Sequence, residues 1–112
     1  MQKFTHAVRG IKIAVRNESS LRVHWLVTMG VILIGLMLDL SATSWCLLTL
    51  CIVVVLMAEM FNTAIERVCR VITQEQNHQI RDALDISAGA VLLVAVGAVI
   101  VGISVLIISL VR

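Results

Sequence analysis

The sequence predicts an all-α membrane protein with three transmembrane helices and an N-terminal amphipathic surface helix. Of its 112 residues, 60% are hydrophobic and none is proline, and the mean hydropathy is +1.03. These values are too apolar for a water-soluble domain of this size and are typical of a small membrane protein. One domain over residues 1–112 is expected, and a net charge of only +2 argues against nucleic-acid binding.

The amphipathic helix is predicted over residues 3–16. Apolar side chains recur there every three or four residues, and basic side chains occupy much of the remaining surface. The apolar positions are Phe4, Val8, Ile11 and Val15. A basic amphipathic segment in front of a transmembrane helix is expected to lie on the inner membrane surface. The alternative is an ordinary positively charged flank.

Three apolar runs predict the transmembrane helices, over about residues 23–38, 45–65 and 86–111. The first run is short for a hydrocarbon core about 30 Å thick, so its helix is expected to extend at the inner end. The polar residues 39–44 predict a tight outer turn, and the polar residues 66–85 separate the second run from the third.

The basic residues give the orientation. Five precede the first span, three lie between the second and third, and the 39–44 turn has none. They are Lys3, Arg9, Lys12, Arg16 and Arg22, followed by Arg67, Arg70 and Arg81. Because cytoplasmic loops carry the excess of Lys and Arg, the N-terminus and residues 66–85 are expected in the cytoplasm, and the C-terminus outside.

Glu59, Asn62 and Glu66 are the most informative residues for function. They lie inside and at the end of the second apolar run, where carboxylates are costly, rare and usually functional. On a helix, positions i, i+3 and i+7 fall on one narrow stripe. Two acids and an amide on one face, at the inner end of a span, predict a site for a metal ion or a proton.

Glu18 and Asp85 bring two further acids to the same depth, one just before the first span and one at the start of the third. A lipid headgroup hydroxyl lies near that depth, whereas a soluble metabolite would rarely need an acid inside the membrane. Phosphoryl transfer to such a hydroxyl requires a base, carboxylates that hold Mg²⁺ on the phosphates, and cations for the developing charge. The chain has these residue types at this level.

Small residues recur every seven positions along the third span, in two lines. One line is Ala88, Ala95, Gly102 and Ser109, and the other is Ala90, Gly97 and Ser104. Small residues let helices approach closely in lipid, so two lines on different faces favour contacts with more than one neighbour, and hence an oligomer. The alternative is that Ala and Gly are simply common in membrane helices.

The motif E-x-x-N-T-A-I-E-R at residues 59–67, followed by Asp85 and by SAGAV at residues 87–91, resembles the prokaryotic diacylglycerol kinase and undecaprenol kinase family. The segment RNESSLRVH at residues 16–24 resembles the acidic segment before the family's first span. The resemblance implies a homotrimer in the bacterial inner membrane, with three spans and a surface helix per chain and active sites at subunit interfaces. It also implies transfer of the ATP γ-phosphate to a membrane lipid alcohol, either diacylglycerol or undecaprenol.

The same resemblance implies roles for individual residues. Glu59 would be the general base on the lipid hydroxyl. Glu18 and Glu66 would bind Mg²⁺ together with the ATP phosphates. Asn62 and Asp85 would order the site.

Each of these residues also has a plain structural interpretation. Glu59 would then be an acid hydrogen-bonded to a neighbouring helix, and Glu66 a solvated charge at a helix end. Glu18 would be a loop or capping acid, and Asp85 an acid favoured by the dipole at a helix N-terminus. His24, which replaces an acid seen in some members of the family, is expected to be a structural histidine at a helix interface.

The chain departs from the family pattern at three places. Leu84 occupies the position of the family's lysine, and Arg70 that of an aspartate four residues after the motif's second glutamate. The loop between the last two spans is reduced to TQEQN at residues 73–77. A cation on the phosphates can be worth orders of magnitude in rate. Arg81, one helical turn before Leu84, is therefore expected to supply that charge to ATP, with Arg70 as the alternative.

Three functions compete at this point. The first is an active lipid kinase that uses ATP and Mg²⁺. The second is a non-catalytic membrane relative that kept the fold, which Leu84 favours. The third is a small proton-coupled exporter. Exporters of that kind have four spans and a glutamate in the first, whereas this chain is expected to have three spans and no acid in its first.

Overall fold

The computed structural model describes residues 2–17, 19–72 and 77–111, and these residues form four α-helices. The helices are α1 (Gln2–Asn17), α2 (Ser19–Leu38), α3 (Ala42–Ile72) and α4 (His78–Val111). No strand occurs in these ranges, so the all-α prediction is confirmed. Glu18, predicted to bind Mg²⁺, lies outside the described residues, as does most of the shortened loop.

The first two helices occupy the segments predicted for them. α1 matches the predicted helix 3–16 to within one residue at each end. α2 includes residues 23–38 and begins four residues earlier, at Ser19, as expected for an apolar run that is short by itself. Phe4 and Ile11 on α1 are exposed in the single chain, whereas Ala14 and Val15 near the C-terminal end of the helix are buried or half-buried.

The turn between α2 and α3 is shorter than predicted. Only residues 39–41 are non-helical, because Ser41 caps α3: its Oγ accepts a hydrogen bond from the Ser44 amide at 3.2 Å, and its carbonyl accepts one from the Trp45 amide at 3.0 Å. Such a cap satisfies amides that the first turn of a helix leaves unpaired. Asp39 makes the reversal itself with φ of 56°, in the left-handed region where Asp is tolerated better than most residues.

Helices α3 and α4 extend well beyond the apolar runs that predicted them. α3 continues through residue 72 and α4 begins at residue 78, so the polar segment 66–85 is mostly helical. The start of α4 is set by Asn77, whose Oδ1 accepts hydrogen bonds from the amides of Gln79 at 2.8 Å and Ile80 at 3.3 Å. Hydropathy marks where a helix enters lipid, whereas caps mark where it ends.

The main packing contact joins α3 to α4, which run antiparallel, while α2 packs more lightly on α3 and on α1. α3 and α4 are both long and apolar enough to cross a membrane, and the apolar part of α2, Arg22–Leu38, is shorter. Few apolar side chains are buried, and many large ones on α2, α3 and α4 are exposed. An apolar surface of this extent requires lipid or another chain to cover it.

Gly35 on α2 should resist substitution by alanine. A Cβ at this position would lie 2.7 Å from Cη2 of Trp45, so the indole would have to move. Gly30 on the same helix has nothing within 4 Å of such a Cβ, and alanine there should be neutral or favourable. We expect Gly35→Ala to be less stable than Gly30→Ala by about 1–3 kcal/mol, the usual cost of overpacking.

Thermal unfolding in detergent measures this difference, and combining each alanine with Trp45→Leu should abolish it. Equal stability of the two alanine variants in the presence of Trp45 would contradict a close Gly35–Trp45 contact.

Candidate functional site

Glu59 lies where α2 packs on α3. It is only 8% exposed, and its Oε1 lies 2.9 Å from Nε2 of His24 on α2. An ionised carboxylate only accepts hydrogen bonds, so the imidazole N–H donates to Glu59 in that state. The predicted position of His24 at a helix interface is confirmed, and its partner across the interface is the acid predicted to be the general base.

The other carboxylate oxygen of Glu59, Oε2, does not take part in the contact with His24. Among the described residues, Glu59 has no hydrogen-bond or ion-pair partner besides His24. Oε2 can therefore accept a proton or a hydrogen bond from a molecule that reaches it. A buried carboxylate with one fixed and one available oxygen is suited to act as a base.

Asn62 connects α3 to α4. Its Oδ1 accepts a hydrogen bond from the Ser87 hydroxyl at 2.7 Å, and its Nδ2 donates to Glu66 Oε1 at 3.0 Å. Ser87 is buried. Both polar ends of the amide are thus in use, which fixes its orientation and sets the level at which α4 passes α3.

Glu66 lies at the more exposed end of the stripe. Its side chain is 40% exposed, and its Oε2 lies 3.6 Å from a guanidinium nitrogen of Arg70 one turn further along α3. An i,i+4 pair this exposed contributes little to stability. The contact nevertheless places the guanidinium of Arg70 beside the Glu66 carboxylate. Arg70 is the residue that stands in place of a family aspartate.

The three residues predicted as one stripe do share one face of α3. Glu59 is buried and contacts α2, while Asn62 contacts α4 and also bonds to Glu66. The polar contacts run from the interior of the helix pair to water over about two helical turns. The interpretation of Glu66 as only a solvated charge is incomplete, since its carboxylate is also tied to Asn62.

Asp85 and Arg81 are exposed on α4, with Leu84 half-buried between them. α4 begins at residue 78, seven residues before Asp85. A helix dipole acts within the first turn, so the interpretation of Asp85 as an N-terminal helix acid is wrong. Arg81 does lie in that first turn, and its amide donates to the Asn77 carbonyl at 3.0 Å.

Two polar partners in this site were not predicted from the sequence. Ser87 belongs to the SAGAV motif without a predicted role of its own, and His24 is predicted only to lie at a helix interface. Both are polar residues near the end of an apolar run that is predicted to face the cytoplasm, as Asn62 is. That shared depth is the one signal in the sequence that would have grouped them.

An apolar cavity of about 410 Å³ lies between α2, α3 and α4. His24 and Thr28 are polar residues at one end of it, and residues such as Leu38 and Leu48 line the other end. From His24 to Leu38 the α2 axis rises roughly 21 Å, which is much of the thickness of a hydrocarbon core. His24 thus borders the cavity and contacts Glu59.

Comparison with known proteins gives a family match and two relatives. The family model described as prokaryotic diacylglycerol kinase matches residues 5–106. The chain is 34% identical to an undecaprenol kinase of Bacillus subtilis over 101 residues, which cover 90% of this chain and 82% of the relative. It is 35% identical to a diacylglycerol kinase of Synechocystis over 100 residues, which cover 88% of this chain and 57% of the relative.

Ser87→Ala should weaken the α3–α4 contact. It removes the donor to Asn62 Oδ1 and leaves that acceptor without its partner. Hydrogen bonds between membrane helices are worth about 0.6 kcal/mol on average and up to about 1.7 kcal/mol, and the loss of stability should fall in this range. Unfolding in detergent by a denaturant series measures it.

Ser104→Ala is the matched control for this prediction. The Ser104 hydroxyl bonds the carbonyl of Ile100 on its own helix at 2.8 Å, so its removal breaks no contact between helices. Equal losses of stability in Ser87→Ala and Ser104→Ala would contradict a stabilising hydrogen bond from Ser87 on α4 to Asn62 on α3.

Proposed function

The chain belongs to the prokaryotic diacylglycerol kinase family, and from this premise we propose that it transfers the γ-phosphate of ATP to the hydroxyl of a membrane lipid. The observation that supports this most is Glu59. It is a buried carboxylate in a long apolar helix, with one oxygen available and an apolar cavity beside its hydrogen-bond partner. The relatives are named as kinases, which favours an active enzyme over a non-catalytic relative.

The proposed arrangement in the membrane has α2, α3 and α4 as spans and α1 on the cytoplasmic surface of the bacterial inner membrane. α2 has 20 residues and is therefore about 30 Å long, close to the thickness of a hydrocarbon core. Basic residues gather before α2 and between the apolar parts of α3 and α4. This distribution supports a cytoplasmic N-terminus and α3–α4 connection, with the C-terminus outside.

In the proposed reaction, Glu59 Oε2 accepts the proton of the lipid hydroxyl. The hydroxyl oxygen forms a bond to the γ-phosphorus as the bond from that phosphorus to the β–γ bridging oxygen breaks, and ADP leaves with the electron pair. Burial of Glu59 keeps water from competing with the lipid for the phosphoryl group. Asn62 holds this part of α3 in register with α4 through Ser87.

The proposed phosphate end of the site lies toward the cytoplasm. Glu66 is half-exposed there, and Mg²⁺ is commonly held by one or two carboxylates together with substrate phosphates. Glu66 fits such a role, and Glu18 is proposed as its counterpart from the sequence resemblance. Among the described residues, no three His, Cys, Asp or Glu side chains form a metal cage. When bound, Mg²⁺ would neutralise phosphate charge during the transfer.

Arg81 is proposed to contact the phosphates in place of the family's lysine, and Asp85 to order the same end of the site. Both are exposed on α4, on either side of Leu84. Arg70 is the second cation at this level, held near Glu66. A guanidinium suits phosphate oxygens because it can donate two parallel hydrogen bonds.

The acceptor is proposed to be diacylglycerol or undecaprenol, the lipids in the names of the two relatives. The apolar cavity supports a long-chain alcohol, since it extends from His24 away from the polar stripe. A hydrocarbon chain that lies along this cavity would bring its hydroxyl to the His24 end, next to Glu59.

The proposed assembly is a homotrimer. The two lines of small residues lie on different faces of α4: Ala95 and Gly102 line the cavity, whereas Ala90, Gly97 and Ser104 are exposed. The exposed line permits close approach of a helix from another chain, and the hydroxyl of Ser104 is already satisfied within its own helix.

Glu59→Gln should lower turnover by about two or more orders of magnitude, because the amide keeps the shape but cannot accept the proton. The assay is transfer of radiolabelled γ-phosphate from ATP to diacylglycerol and to undecaprenol in vesicles that contain the purified protein. Asp82→Asn on exposed α4 is the control and should retain activity. Near-normal turnover in Glu59→Gln would exclude it as the base, and no transfer to either lipid by the wild type would refute the proposed function.

Arg81→Ala should lower turnover far more than Arg112→Ala, which removes a charge at the other end of the third span. Loss of a cation on the transferred phosphate typically costs about 10²-fold or more. Leu84→Lys should restore part of the activity of Arg81→Ala, because it returns a cation one turn away. Initial rates at saturating ATP measure both effects. Unchanged turnover in Arg81→Ala would contradict a phosphate contact by Arg81. Arg70→Ala would then test the other cation.

A further inference from the structure

We propose that His24 is a positioning residue for the catalytic carboxylate of Glu59, so that the reaction depends on a side chain of α2 as well as on those of α3 and α4. The inference rests on the proposed function. It is based on the contact of 2.9 Å between His24 Nε2 and Glu59 Oε1, which joins two helices across 35 residues of sequence.

The contact is the one polar interaction that Glu59 makes with the described part of the chain. The carboxylate is buried, and a charge that loses water without gaining a partner is strongly disfavoured. The terminal torsion of a glutamate is also broad, so packing alone does not fix the plane of its carboxylate. A donor on Oε1 gives the buried carboxylate a partner and leaves Oε2 in a defined direction.

His24 is itself held in place. The Thr28 hydroxyl bonds the His24 carbonyl at 2.8 Å, which anchors this turn of α2. The imidazole is 30% exposed, against 10% for the Glu59 side chain, and it also lines the apolar cavity. A lipid hydroxyl that enters from the cavity therefore meets the imidazole beside the carboxylate that is to accept its proton.

This arrangement differs from a histidine that only joins two helices. In a purely structural role, the loss of His24 would lower stability and change every kinetic constant through partial unfolding. In a positioning role, it would lower the rate of the chemical step while ATP binding, about two turns away along α3, stays the same. The two roles are distinguished by the division of the effect between kcat and KM.

The test uses the full-length protein in vesicles and the variants His24→Leu, His24→Gln and His24→Asn. His24→Leu should lower kcat by about tenfold to a hundredfold, the scale of a lost hydrogen bond to a charged group, with KM for ATP within about twofold of the wild type. Gln should restore most of the rate, because its amide nitrogen reaches about as far as Nε2 of the imidazole. Asn is one carbon shorter and should not restore it.

The coupling between the two residues is measured in the Glu59→Gln background. There, His24→Leu should have no further effect on residual turnover, because the group that it positions is gone. Val23→Leu, at an exposed neighbouring position, is the control for general disturbance of α2 and should retain activity. Melting temperatures of all variants identify any loss of folded protein.

Wild-type kcat in His24→Leu would overturn the inference and leave the proposed function intact. So would equal loss in the Leu and Gln variants with a matching fall in melting temperature, or a further loss of rate in the Glu59→Gln background. A wild-type protein that phosphorylates neither lipid would overturn the proposed function, and the inference with it.

Discussion

Burial of the Glu59 carboxylate inside an apolar helix is the constraint on which the rest of this structure depends. A charged side chain at membrane depth costs about 2.5–3.5 kcal/mol on scales derived from helix insertion. A polar partner from another helix at the same level lowers that cost, and His24 on α2 is that partner. This hydrogen bond helps to fix the register of α2 against α3, together with the close approach of Gly35 to Trp45.

The polar stripe on α3 runs from a buried end to an exposed end. Glu59 is buried, the Glu66 side chain is 40% exposed and the Arg70 side chain 71% exposed, within residues 59–70 of one helix. A lipid kinase needs this gradient, because its acceptor hydroxyl lies at the membrane and its donor is dissolved in water. One face of a helix can serve both substrates. The helix rises about 1.5 Å per residue, so a few turns separate its buried acid from its exposed end.

The sequence predicted the helices and the stripe because both depend on local features of the chain, apolar runs and helical periodicity. Apolar runs located α2, α3 and α4, and the 3.6-residue period placed Glu59, Asn62 and Glu66 on one face. It did not predict where α3 ends and α4 begins within residues 66–85, since the cap at Asn77 sets the start of α4. Nor did it give the partners His24 and Ser87, because tertiary packing decides which faces of α2 and α4 meet α3.

The two substitutions relative to the family pattern can be understood together as a relocation of charge. Leucine in place of lysine at residue 84 removes one positive charge from α4. Arginine in place of aspartate at residue 70 makes the charge of α3 more positive by two. The two substitutions together raise the net charge by one. Arg70 lies within 3.6 Å of Glu66, where an aspartate would have repelled it across one helical turn. The exposed end of the stripe thus keeps a cation beside the proposed phosphate site, on α3. The absence of the family's lysine therefore does not by itself remove the electrostatic means for phosphoryl transfer.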